Sequence, residues 1–164
     1  MNSVEQWRIR PGLLVAVADD TDSIVWHGPI PADSEASEVR RIRQPDLRGG
    51  IRERAQLRSE WSQAHRDPAD LIVAIEIDVL IDASAAAARA ELLRLGESQS
   101  GDTLRYVGTA NGLTTLVLDV YVTEVADAVI LRPIDSVNRN PSISAALIVD
   151  EVLPALRRRY LKPA

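Results

Sequence analysis

A chain of 164 residues with 46% hydrophobic content is long enough for one domain that buries roughly two-thirds of its unfolded surface. Its net charge of −5 gives no general reason to hold nucleic acid or anionic lipid, and no apolar run approaches the ~20 residues of a membrane span. The absence of cysteine excludes disulfides, thiolate metal sites and cysteine nucleophiles, and Lys162, the only lysine, leaves almost no room for Schiff-base or P-loop chemistry. The charged start is no signal peptide, so the expected location is cytoplasmic. With no Phe, the expected core is aliphatic and Ala-rich, with a few Trp and Tyr.

Trp7 to Arg10 leads into the apolar run Gly12 to Ala18, which predicts a buried strand. Asp19-Asp-Thr-Asp-Ser23 signals a turn, and Ile24 to His27 predicts a second short strand. A parallel crossover needs a dozen or more residues, so these two strands are expected to form an antiparallel hairpin. Gly28-Pro-Ile-Pro31 breaks the pattern, Ser34 to Arg43 predicts a short helix, Gln44 to Gly50 interrupts it, and Ile51 to His65 predicts its resumption. Seven arginines between Arg40 and Arg58 form a basic region, but Glu35, Glu38, Asp46, Glu53 and Glu60 are interleaved with them. Glu–Arg pairs at helical spacing describe an ordinary exposed helix, not a nucleic-acid surface.

After Asp67-Pro68 comes the strongest strand signal, Leu71 to Ile81. Its odd positions are all apolar, and alternation puts Glu76 and Asp78 together on the opposite face. Neither acid has a partner visible in the sequence, and an unpaired carboxylate inside a closed barrel is costly. On an open half-barrel the same face would meet water or a second chain. Asp82 or Ser84 caps an alanine-rich helix, Ala85 to Leu95, which ends in Gly96 to Gly101. Thr109 is placed as an N-cap, although the LTTLVLDVYV that follows reads as a strand by propensity alone. Ala128 to Leu131 predicts a strand with Arg132 at its C-terminal end. Asn138 to Pro141 is a loop, Ser142 or Ser144 opens the final helix, and Pro154 kinks that helix or begins a second one.

Conventional catalytic signatures are thin. His27 and His65 lack a metal-ligand companion at helical spacing, so no metal site is expected, and there is no G-x-S-x-G, G-x-G-x-x-G or Walker sequence. GTANG, Gly108 to Gly112, looks like a phosphate loop only superficially.

RDPADLIVAIEIDVLIDASAAAARAEL, GDTLRYVGTANGL, TTLVLDVYVTEVADAVILRPID and SAALIVDEVLPALRRR together carry a family likeness. They resemble the C-terminal half of a luciferase-like (bacterial luciferase superfamily) flavin-dependent monooxygenase, in which a helix opens at V-G-T and the last helix ends in D-E-V-x-P-x-L-x-R-R. The resemblance spans Pro68 to Arg159 and, more loosely, Arg10 to Trp26; the family's N-terminal half has no counterpart. It implies an α/β fold, a partial (half) TIM-type β/α barrel of about four strands with flanking helices, as one domain over residues 1–164. It makes the segment after Thr109 a helix, with Leu113, Leu116, Val117, Val120 and Tyr121 on one face. It also implies FMN or a deazaflavin at the C-terminal strand ends, with Arg132 facing the flavin phosphate or else held in a structural ion pair, Thr109 at an anion-binding helix N-terminus, and Trp26 against the isoalloxazine or else in the core or an interface. In the family a loop and a helix separate the first two strands and help hold the phosphate. Here Asp19, Asp20 and Asp22 stand in that place and would repel a dianion. The expectation is an oxidoreductase-family domain that is incomplete and inactive alone, the alternative a non-catalytic oligomerising or small-ligand-binding module. The expected partner is a second copy or a second luciferase-like chain.

Overall fold

The computed structural model describes residues 12–27, 38–96, 101–136, 139 and 141–159. The expectations at Trp7 to Arg10, at Gly28 to Pro31, at Asn138 and at Lys162 lie outside these residues. The organising element is β4 (Leu71–Ile81), whose odd-numbered side chains are all essentially inaccessible. β6 (Ala128–Pro133) runs parallel along one edge of it. Two short strands share the other edge end to end: β3 (Glu38–Ile42) lies beside residues 71–75, and β5 (Leu104–Gly108) lies beside residues 77–81. β1 (Leu14–Ala18) pairs parallel with β6, and β2 (Ile24–Trp26) folds back antiparallel on β1, as the five-residue junction requires. The sheet therefore has six strands in the order β2-β1-β6-β4-β3, with β5 also on β4.

β3, β4 and β6 cross the sheet in chain order, with β5 placed beside β3 on the far edge of β4 and not between β4 and β6, and β1 lies against β6, as first and last strands do in a closed barrel. Only residues 27–37 separate β2 from β3, fewer than one parallel crossover takes. The interruption of the ring is thus internal to the chain. The fold is an α/β partial barrel that begins with an antiparallel hairpin.

The outer face carries the helices: α1 (Leu47–Gln63), α2 (Ala85–Leu95), α3 (Ala110–Val122), α4 (Ile143–Leu147) and α5 (Leu153–Arg159). Leu113, Val117 and Val120 of α3, with Ile148, Val152, Leu153 and Leu156, pack on Val73, Ile75, Ile77 and Val79 in one aliphatic cluster. That burial is why α3 is a helix against its β-branched propensity, since all five residues expected on its inner face join the cluster. Thr109 caps α3 by accepting from the Gly112 N–H at 3.2 Å, and Ser84 caps α2 through Ala87 at 3.1 Å. Between α4 and α5 the helix widens into a π turn, Ile148–Val152. Pro154 offers no N–H to the carbonyl four residues back and its ring crowds that carbonyl, so the wide turn falls where the strain would.

Besides β5, which the sequence reading did not predict, two elements differ from expectation. Residues 38–42, read as part of a helix from Ser34 to Arg43, are the strand β3, because Ile42 buries on the helix side while Arg41 points to the inner face. Helix α1 starts at Leu47, capped by Asp46 accepting from Gly49 N–H at 2.7 Å, so Gly49 and Gly50 lie inside it. Gly50 is needed for a close approach: a methyl there would sit 2.6 Å from Val125 Cγ1. Helix α1 is tied to the sheet by Asp127, a fully buried carboxylate just before β6. Asp127 accepts from Arg54 Nη2 at 3.0 Å, from Arg58 Nη2 and from the Val73 N–H at 3.0 Å.

The inner face is lined by small and aliphatic residues, Leu14, Ala16, Ile72, Ala74, Ala128 and Ile130, with Ile24 and Trp26 packed against them. All six are at most 3% exposed within the single chain. The inner face is not the bare surface that an open half-barrel leads one to expect.

Candidate functional site

In β/α barrels ligands bind at the C-terminal ends of the strands. At that end of the inner face, period-two alternation aligns Arg41 and Arg43 from β3 and its continuation, Glu76 and Asp78 from β4, and Arg132 from β6. The turn after β1 closes over them. Glu76 is the hub, with its side chain only 1% exposed. Its Oε1 accepts from Arg41 Nε at 2.8 Å and from Arg41 Nη2, and its Oε2 accepts from Arg43 Nε and lies 3.6 Å from Arg132 Nη1. Asp22 completes the cluster, accepting from Arg41 Nη2 at 2.9 Å, with Arg132 Nη2 at 3.9 Å. Asp78 pairs with Arg105 of β5 at 4.0 Å. The sequence showed no partners for Glu76 and Asp78; the fold supplies them from other strands.

Electrostatics follows from these contacts. The hydrogen bond from Arg41 holds the Asp22 carboxyl below the usual carboxylate range, and the same contact raises Arg41. Asp22 has φ 64°, which turns it towards the arginines. Asp19 is used inside the turn, where its Oδ1 accepts from Thr21 N, Thr21 Oγ1 and Ser23 N at 2.8, 2.7 and 3.0 Å. The Thr21 hydroxyl contact is the main reason its carboxyl is also lowered. Chemically the arrangement is a carboxylate–guanidinium network closed on itself. Two acids, Glu76 and Asp22, accept from Arg41 and from the Nε of Arg43 and lie 3.6–3.9 Å from Arg132, so they offset most of the charge that would otherwise hold an anion.

Of the residues singled out in the sequence, Arg132 belongs to this network. Trp26 lies on β2 opposite Ala16 and packs on the apolar part of the inner face, while the Thr109 hydroxyl is engaged at the start of α3. Arg41 and Arg43 were missed as site residues. Their spacing matches that of Glu76 and Asp78, but the signal was masked by reading them as helical. Burial, and then the nearby Arg157, holds the His27 imidazole below its ordinary value. Among the described residues no cluster of three or more His, Asp or Glu side chains is arranged to hold a metal. No described helix is long and apolar enough to cross a membrane.

A second network stands behind the site and is structural. Arg139 reaches Glu91 Oε2 at 2.8 Å, Asp82 Oδ2 at 3.2 Å and Asp135 Oδ2 at 3.7 Å, and Arg94 Nε donates to Glu91 at 2.8 Å. Arg94 and then Arg139 pull the Glu91 carboxyl from 4.5 down to about 2. A depressed folded-state value stabilises the native state above the unfolded-state value and loses that contribution as pH falls through the folded one. Thermal melts between pH 7 and pH 2.5 should therefore show a stability loss that begins below about 4.5 and is shallower in Glu91→Gln than in the unsubstituted chain. Parallel pH profiles for the two would remove Glu91 as a contributor.

A cavity of about 180 Å³ lies at the opposite, N-terminal end of β4, lined by Arg40, Leu57, Glu60, Trp61, Arg66 and Leu71. The Arg66 guanidinium stacks 3.5 Å over the Trp61 ring, whose Nε1 donates to the Asp67 carbonyl at 2.7 Å.

No protein-family model and no curated protein matches the sequence. Solved structures do. EDTA monooxygenase (EmoA) from Chelativorans sp. BNC1 is 16% identical with a TM-score of 0.59, over 77% of this chain and 41% of the enzyme. A riboflavin lyase (RcaE), solved with modified FMN and its substrate riboflavin, is 12% identical with a TM-score of 0.61, over 74% and 39%. A long-chain alkane monooxygenase (LadA) is 15% identical with a TM-score of 0.57, over 77% and 40%. These are luciferase-like enzymes, and the chain spans about two-fifths of the length of each. At such identities the likeness is one of fold: the chain has the fold of part of a luciferase-like barrel.

Proposed function

We propose that this chain is a luciferase-like, monooxygenase-type domain that does not turn over flavin alone and works as an assembling module. Its partner on this reading is a second copy or a second luciferase-like chain. The observation that supports this is the closed network at the C-terminal strand ends. A flavin phosphate approaching Arg132 meets Asp22 and Glu76, Arg41 is already bonded to both acids, and Arg43 gives its Nε to Glu76. The five-residue turn leaves no room there for a phosphate-holding loop and helix. FMN or a deazaflavin would bind only after this network opened. Titration of the purified chain with FMN and with a deazaflavin, followed by light scattering on the same sample, tests the reading. No saturable flavin binding below about 100 µM, with a mass above that of one chain, is expected. Micromolar flavin binding by the chain alone overturns it, and a monomer at all concentrations removes a second copy as the partner.

A further inference from the structure

Which surface joins two copies follows from the outer edge of β3. Among the described residues β3 pairs only with β4, so its outer N–H and C=O groups face away from the sheet, and Val39 to Arg41 are exposed. Ile42 packs with Trp61 and Leu71 on the helix side, so alternation puts Glu38 and Arg40 on that side and Val39 on the inner side. We propose that β3 pairs antiparallel with β3 of a second copy, with Val39 on the two-fold axis. This rests on the reading of the chain as an assembling module and names the surface.

Charge selects the register. Across a two-fold axis normal to the sheet, opposed residues share a face, so the axis passes through a residue of β3. Centred on Glu38, the pairing sets two carboxylates against each other; centred on Arg40, it sets two guanidiniums against each other. Centred on Val39, it places Glu38 opposite the partner's Arg40 twice over, and the two exposed valines meet between them. Within one chain Arg40 pairs with Glu38, whose Oε2 also lies 3.3 Å from Arg66 Nη2; with side chains 51% and 36% exposed, Arg40 and Glu38 can exchange this pairing for the one across the axis. The cavity between β3 and α1 lies on the same side, and its wall residue Glu60 gives the partner's Arg40 a second acid. Among the described residues β2 and β5 also pair on one side only: β2 is three residues long and carries no charged residue, and β5 has no exposed residue, its one charged side chain, Arg105, being 12% exposed and set against Asp78.

The test is the mass of the purified chain by light scattering, read alongside the thermal melt. The unsubstituted chain is expected at twice 18.0 kDa. Arg40→Glu sets Glu38 against a second carboxylate and should weaken association at least tenfold with little change in the monomer's melt. The exchange Glu38→Arg with Arg40→Glu restores opposed charges and should restore the dimer. A dimer dissolved by Val25→Lys on β2 but indifferent to Arg40→Glu would overturn the β3 interface while leaving the assembling role intact. A monomeric unsubstituted chain would overturn the β3 interface and leave a second luciferase-like chain as the partner, and a double exchange that stays monomeric would overturn the register.

Discussion

Asp127→Ala should lower the stability of this chain by about 3 kcal/mol, the low end of what removing one partner of a buried ion pair costs. The carboxylate is inaccessible, and its loss strands three donors together: the Arg54 and Arg58 guanidiniums and the Val73 N–H. The two arginine side chains are 16% and 24% exposed and can partly turn to water, which is why the upper end is not expected. The Val73 N–H sits at the start of the central strand and has no such escape. For a chain of this size 3 kcal/mol corresponds to roughly 10 °C in Tm. Asp127→Asn keeps the shape and one acceptor oxygen, so it should fall between the two. A drop under about 2 °C for the alanine variant would show that α1 is held on by its apolar face alone.

Glu76→Gln should convert the inner cluster from a closed network into an anion site. Arg41, Arg43 and Arg132 would then face Asp22 as their one remaining close acid. In chloride buffer the variant should melt below the unsubstituted chain by an amount matching about 2 kcal/mol, because three guanidiniums lose a buried acceptor but are 30–47% exposed. Inorganic phosphate should then raise its Tm. With a Kd of about 1 mM, 10 mM phosphate would restore about 1.4 kcal/mol, whereas the unsubstituted chain should not respond. If both respond alike, Glu76 does not block the arginines, and the case against autonomous flavin binding loses its support.

The parts of the fold that could be read from sequence share one property: local pattern and tertiary demand agree there. β4 alternates without exception, Ser84 precedes an alanine-rich helix, and the junction after Ala18 is too short for anything but a hairpin. β3 was not legible, because Glu38-Val-Arg-Arg-Ile has the composition of an exposed helix. It becomes a strand because Arg41 finds Glu76, 35 positions away, on the neighbouring strand. β5 was missed for a related reason: it is short, follows a turn, and is half-buried at four of its five positions. The segment after Thr109 shows the reverse. Propensity favoured a strand and family likeness a helix, and burial of Leu113, Val117 and Val120 decided for the helix. In the site, Arg132 could be suspected from its place at a strand end, but its partners could not, because they come from a turn and a strand far along the chain.

The pairing of β1 with β6 joins residues 14–17 to residues 128–131. During synthesis β1 emerges well before β6, and among the described residues its other strand partner is the three-residue β2, a hairpin too small to persist in water. At 5–20 residues per second its parallel partner arrives on the order of 10 s later, while a hairpin of this size opens and closes in microseconds. For that interval the apolar strip Leu13 to Ala18 has no sheet to enter. The segment that closes the finished fold is therefore the one most in need of shelter while the chain is being made.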